Sequence, residues 1–155
     1  MKIKPSLESE SSIQRKCIAL IRSLDSTAFH LVNAQSKSKS TVGQQMAAIK
    51  EGFIAGQSDI IINRICYDVA TKTLCKGMFL ELKKEGSKIY KKDGTFVNKH
   101  IEKQNKYMQK YGKDYFCNFG IGYDHAEKII KHFYTFVEVD FSTLQTLFEI
   151  KIRNH

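Results

Sequence analysis

The apolar residues Ile13, Cys17, Leu20, Ile21 and Leu24 recur at intervals of three and four, the spacing that lines one face of a helix. The polar run before them offers Ser11 or Ser12 as the N-cap. Residues 27–34, TAFHLVNA, read as a strand, and QSKSKSTVG is a polar, basic loop leading to a short helix over 44–50. Gly52 and Gly56 punctuate the next stretch. Asp59 then stands at the mouth of the run Ile60, Ile61, Ile62, which suits a strand buried on both faces. Residues 63–77 turn the chain back as a hairpin into MFLELKK, 78–84. Side chains alternate across a strand, so Met78, Leu80 and Leu82 share a core face while Phe79, Glu81 and Lys83 share the other. Charge at buried strand positions is costly unless it is paired or coordinates an ion. The question is therefore what Glu81 and Lys83 hold.

After Lys83 the pattern loosens. KEGSKIYKKDGTFVNK, 84–99, is rich in lysine and glycine and reads as a long surface loop or a small flap. Asn98 caps a helix that runs to Tyr111 and is ended by Gly112, with Ile101, Gln104, Met108 and Tyr111 on its inward face. YFCNFGIG gives a further strand and DHAEKIIKHF a further helix. In the tail, FVEVDF alternates like a strand and STLQTLFEIKI suits a last helix; neither carries a functional reading. There is no internal repeat and no interdomain linker. The expectation is one domain over residues 1–155, with its core over about 10–132 and residues 133–155 as an extension. Interleaved helices and strands predict an α/β fold, a central mixed β-sheet flanked by α-helices.

Composition narrows the class of partner. The chain has 155 residues, 42% of them hydrophobic, enough for a core without staples. Its net charge of +9 predicts a polyanionic partner such as nucleic acid. A membrane is not expected, because no apolar run reaches spanning length and the start MKIKPSLESESS lacks the apolar centre of a signal peptide. Cys17, Cys66, Cys75 and Cys117 form no CxxC pair and have no histidine couple nearby, which excludes the usual zinc spacings. Cys66 and Cys75 can face one another across a hairpin, but without secretory features reduced thiols and a cytoplasmic setting are the expectation. Between Lys83 and Lys113 ten lysines stand against Glu85, Asp93 and Glu102, so this segment carries +7 of the +9. A lysine run also suits a plain solvated face. Here it begins beside Lys83. Lys84, Lys88, Lys91 and Lys92 are candidate phosphate contacts, Tyr90 and Phe96 are interleaved where they can stack on an exposed base, and Lys37 and Lys39 offer a second patch.

The candidate chemistry lies at two strand ends. Asp59 at the start of IIIN and Glu81 within FLELK occupy matching places on neighbouring strands and can converge. Two carboxylates at one point repel unless a cation lies between them, and hard oxygen ligands suit Mg²⁺ (or Mn²⁺). Lys83, on the same face, is placed to act on a water and on charge building at a phosphate. That combination points to phosphodiester hydrolysis; the same three residues would also suit a structural ion pair.

Asp59 followed by ELK at 81–83, after an opening helix, resembles the PD-(D/E)XK nuclease superfamily. Glu10 four residues before Gln14, G-x-x-x-G-x-x-D from Gly52 to Asp59, FLELKKEG, and EKQNKYMQKYG resemble its VRR-NUC family, the virus-type replication and repair nucleases. The resemblance spans about Glu10 to His132. It implies a restriction-endonuclease-like fold and divalent-metal-dependent DNA cleavage by Asp59, Glu81, Lys83 and Gln104. The metal would be held by Asp59 and Glu81, with the Leu82 carbonyl and Glu10 as further ligands. Family members are often stand-alone viral or phage nucleases, and the fold is related to that of Holliday junction resolvases, so the resemblance also implies a homodimer acting on branched or nicked DNA. One departure is visible: Ser58 stands where the family usually has proline, a loss of turn rigidity rather than of chemistry. Gln104 also suits a satisfied core amide, and Glu10 a glutamate favoured by the helix dipole alone. The rival for the whole chain is a catalytically inactive nucleic-acid-binding module of the same fold.

Overall fold

The structure is a computed structural model that describes residues 7–26, the backbone of 30–32, residues 58–140 and residue 142. The short helix expected over 44–50, Gly52, Gly56 and the last helix of the tail, apart from Ser142, lie outside the described residues. Helix α1 spans Glu10–Leu24 and buries Ile13, Cys17 and Ile21, one residue per turn of the expected stripe. Its N-cap is Ser9, not Ser11 or Ser12: the Ser9 hydroxyl accepts from the Ser12 N–H at 3.2 Å, while the Ser12 hydroxyl donates to Glu8 at 2.5 Å. In a run of four serines and two glutamates within residues 8–12 and their neighbour Ser6, the cap falls where the first turn can still present Ile13 to the core.

Strand β1, His30–Val32, pairs antiparallel with β2, Ile60–Asp68. Strand β3, Thr73–Lys83, returns antiparallel to β2. The hairpin expected over 63–77 is thus mostly strand, and its turn is confined to residues 69–72. There Asp68 accepts from the Ala70 N–H at 3.0 Å and the Thr71 hydroxyl at 2.7 Å, and Lys72 takes a φ of 56°. An irregularity between Asn63 and Cys66 interrupts the alternation, which hides β2's second half from a periodicity argument. Helix α2, Lys99–Tyr111, has the expected cap, with the Asn98 side chain accepting from the Ile101 N–H at 2.9 Å. It carries the crossover to β4, Phe116–Ile121, which lies parallel to β3. Helix α3, Gly122–Phe133, follows without a loop, because Gly122 turns the chain at a φ of +71°. Strand β5, Val137–Glu138, is a two-residue remnant of the expected tail strand and pairs with Cys66 and Tyr67.

The sheet order is β1-β2-β3-β4, with β5 beside β1 along the same edge of β2. On one face, α1 and α3 pack Ile13, Cys17, Ile21, Ala126, Ile130 and Phe133 against Ile60, Ile62, Met78, Leu80 and Leu82. On the other, Phe79 meets the rings of Tyr107, Tyr111 and Tyr115 at centroid distances of 5.8, 5.3 and 4.3 Å. Both faces of β3 are therefore covered from Gly77 to Lys83, which places Glu81 and Lys83 inside the molecule. Gly77 lets β2 and β3 close here, since a Cβ at that position would lie 1.9 Å from the Ile62 carbonyl oxygen. Cys66 stands directly opposite Cys75, and all four cysteines are free thiols. No helix among the described residues is long and apolar enough to cross a membrane.

Candidate active site

Ile60 pairs with Leu80, so the antiparallel register carried one residue further sets Asp59 opposite Glu81. The convergence follows from the hairpin itself. Asp59, just outside the β2 ladder, uses its Oδ2 to accept from the Leu82 N–H at 2.8 Å. From α1, the Gln14 side chain donates to the Asp59 carbonyl at 3.3 Å. Glu81 is 2% exposed and Lys83 8%. Glu81 Oε1 accepts from Lys83 Nζ at 2.7 Å and also from Gln104 Nε2 of α2. Strand β3 thus supplies acid and lysine, the mouth of β2 the second acid, and α2 the amide.

Unmet hydrogen bonds cluster at the site. Among the described residues, Glu81 Oε2, Gln104 Oε1 and Ser58 Oγ are buried without a hydrogen-bond partner, as is the Tyr134 hydroxyl elsewhere in the fold. Such atoms are uncommon in folded proteins because each forfeits its hydration. Burial raises the Asp59 pKa above the usual carboxylate value, the Leu82 N–H and Lys83 oppose the rise, and the charge of Glu10 adds to it. Glu81 is pushed up to about 8, first by burial and then by the charge of Asp59, against the pull of Lys83. The charge of Asp59 disfavours ionised Glu81, whereas hydrogen bonding with Glu81 favours ionised Asp59; a hard cation beside the pair would relieve the burden on Glu81. The donor set fits Mg²⁺ or Mn²⁺: carboxyl oxygens of Asp59 and Glu81, with the Leu82 carbonyl on the backbone between Glu81 and Lys83. Glu10 sits exposed in the first turn of α1. Its charge reaches Asp59, but no cluster of three histidine, cysteine, aspartate or glutamate side chains forms among the described residues.

Lys84, Lys88, Lys91 and Lys92 are all exposed, on the segment that joins β3 to α2. Lys37 and Lys39 lie outside the described residues. A cavity of about 510 Å³ is lined by the β2–β3 turn, the second half of α2 and β4, and none of Asp59, Glu81, Lys83 or Gln104 borders it. The acids therefore sit apart from this cavity. Sequence reasoning gave no structural role to Gln14 or to the Ser58 hydroxyl. The available signal for Gln14 was its place beside Ile13, at the border of the buried stripe; for Ser58 it was adjacency to Asp59.

No family model matches the chain, and no curated protein matches it. Among solved structures, it is similar in fold to a protein described as a VRR_NUC domain protein, at 15% sequence identity and a TM-score of 0.55 over 89% of this chain and 96% of that one. At that identity the likeness is one of fold. It agrees with the resemblance carried by Asp59 and the ELK run, and with a mixed sheet flanked by helices.

Proposed function

We propose, taking the VRR_NUC-type nuclease fold as the premise, that this chain is a divalent-metal-dependent DNA endonuclease. The observation that carries the reading is Glu81 Oε2, a buried carboxyl oxygen without a donor among the described residues, beside the half-buried second acid Asp59. Asp59 and Glu81 would hold the ion, with the Leu82 carbonyl as a further donor and Glu10 near enough to add negative potential. A bound divalent cation supplies a Lewis acid for a phosphoryl oxygen and lowers the pKa of water. The chain's own groups do the rest. Lys83, anchored to Glu81 at 2.7 Å, is held to stabilise negative charge developing on the scissile phosphate as water adds to phosphorus and the P–O bond to the leaving sugar breaks. Gln104, fixed through its Nε2, leaves its Oε1 free to accept from that water. The lysines of residues 84–92 supply phosphate contacts that position the strand. Branched or nicked DNA, cut by a homodimer in the cytoplasm, is the substrate form we favour.

The Glu81–Lys83 ion pair itself supports a second reading, a binding module in which the pair is structural. Incubation with supercoiled, linear, single-stranded and four-way-junction DNA, in Mg²⁺ or in EDTA, separates the two. Cleavage in Mg²⁺ alone supports the nuclease; binding to every substrate with no cleavage in Mg²⁺ or Mn²⁺ supports the module.

A further inference from the structure

The segment between β3 and α2 is an ordered miniature hairpin. Tyr90 and Phe96 form an antiparallel bridge, the Lys91 N–H donates to the Thr95 carbonyl at 2.7 Å, and the Val97 N–H donates to the Ile89 carbonyl at 3.1 Å. Its tip is fixed as well. Asp93 accepts from the Thr95 N–H at 2.9 Å and the Thr95 hydroxyl at 2.6 Å, and Gly94 adopts a φ of 82° that other residues rarely take. Ile89 is buried and pins the base. On this frame the Tyr90 ring packs against Phe96 at a centroid distance of 5.0 Å, yet remains 51% exposed.

The Tyr90 ring thus offers one open face on a fixed frame, and its neighbours say which partner suits it. Lys88, Lys91 and Lys92 are exposed around it, and they favour an anionic chain over an apolar protein surface. Aromatic rings set within a cationic groove are how proteins hold single-stranded nucleic acid, since any base offers a π-face for stacking. The hairpin's two ends lead directly into Lys83 and, through Asn98, into the helix that carries Gln104. We propose that the Tyr90–Phe96 hairpin is a nucleobase-stacking platform, on which Tyr90 receives an unpaired base of the DNA whose backbone crosses the Asp59–Glu81 site. The inference rests on the nuclease reading for its ligand, but it concerns base recognition, not cleavage.

The test measures binding in EDTA, using oligonucleotides with 2-aminopurine at one unpaired position and a fully paired duplex of the same length. Wild type is expected to quench the unpaired fluorophore on binding. Tyr90→Phe should retain the quench, while Tyr90→Leu, which keeps an apolar contact with Phe96, should lose it and bind the unpaired substrate roughly ten-fold more weakly. Duplex affinity should change much less. Equal quenching and affinity in wild type and Tyr90→Leu would overturn the platform and leave the nuclease reading intact. If wild type bound neither DNA, the platform would fall, while the nuclease reading would still stand or fall on the cleavage assay in Mg²⁺.

Discussion

Glu81 is asked both to be buried and to carry charge, and the conflict has a measurable signature. Its folded pKa of about 8 stands above the ordinary value of 4.5. Between those two values the folded chain binds a proton that the unfolded chain has released. Stability is therefore present in full below the lower value and falls as pH rises toward the upper one. Asp59, also raised by burial, acts in the same direction. In metal-free buffer the melting temperature should drop between about pH 5 and 8 in wild type, and Glu81→Gln should flatten that dependence. A wild-type curve as flat as the variant's would mean that Glu81 keeps an ordinary carboxyl. Lys83 gives a second residue-scale prediction. Lys83→Ala leaves Glu81 without its cation, but the carboxyl can answer by keeping its proton. The fold should survive while cleavage falls about 100-fold or more. Circular dichroism beside single-turnover kinetics checks both halves, and cleavage at the wild-type rate would remove Lys83 from the mechanism.

At the scale of elements, β2 and β3 can meet the register that opposes Asp59 to Glu81 only if their backbones approach at Gly77. Gly77→Ala would set a Cβ 1.9 Å from the Ile62 carbonyl oxygen, which is backbone and cannot swing aside. We predict a loss of about 2 kcal/mol or more in chemical denaturation, with cleavage reduced among the molecules that remain folded. A neutral Gly77→Ala would show that the two strands have room to part at this point. This element also marks how far the sequence could be read. Alternation along 78–83 placed Glu81 and Lys83 on one face, and 3-4 spacing from Ile101 to Met108 placed Gln104 inward, because both patterns are local. The continuation of β2 to Asp68 was hidden by the irregularity after Asn63, and the cap expected at Ser11 or Ser12 falls on Ser9, because neighbouring serines offer the same hydroxyl. Gln14 was visible in the pattern with Glu10, but its partner was not: its hydrogen bond runs to a backbone carbonyl 45 residues away, and a backbone acceptor leaves no trace in residue type.

For the whole molecule the dominant property is the charge of +9, concentrated on the stretch that starts at Lys83. Neutralising Lys88, Lys91 and Lys92 together should weaken DNA binding and reduce the slope of log affinity against log salt by about three units, one for each phosphate no longer neutralised. An unchanged slope would turn that face away from DNA. The central claim, however, is that Asp59 and Glu81 form a metal site and not merely the anchor of a lysine. Thermal melting of wild type, Asp59→Asn and Glu81→Gln across a Mg²⁺ titration at about pH 8 tests it directly, since a ligand bound only by the folded state raises the melting temperature with concentration. A metal site predicts a wild-type melting temperature that climbs with Mg²⁺, and variants that start as stable as wild type or more so and do not respond. A wild type indifferent to Mg²⁺ and Mn²⁺, with both acidic variants melting well below it, would contradict the metal site.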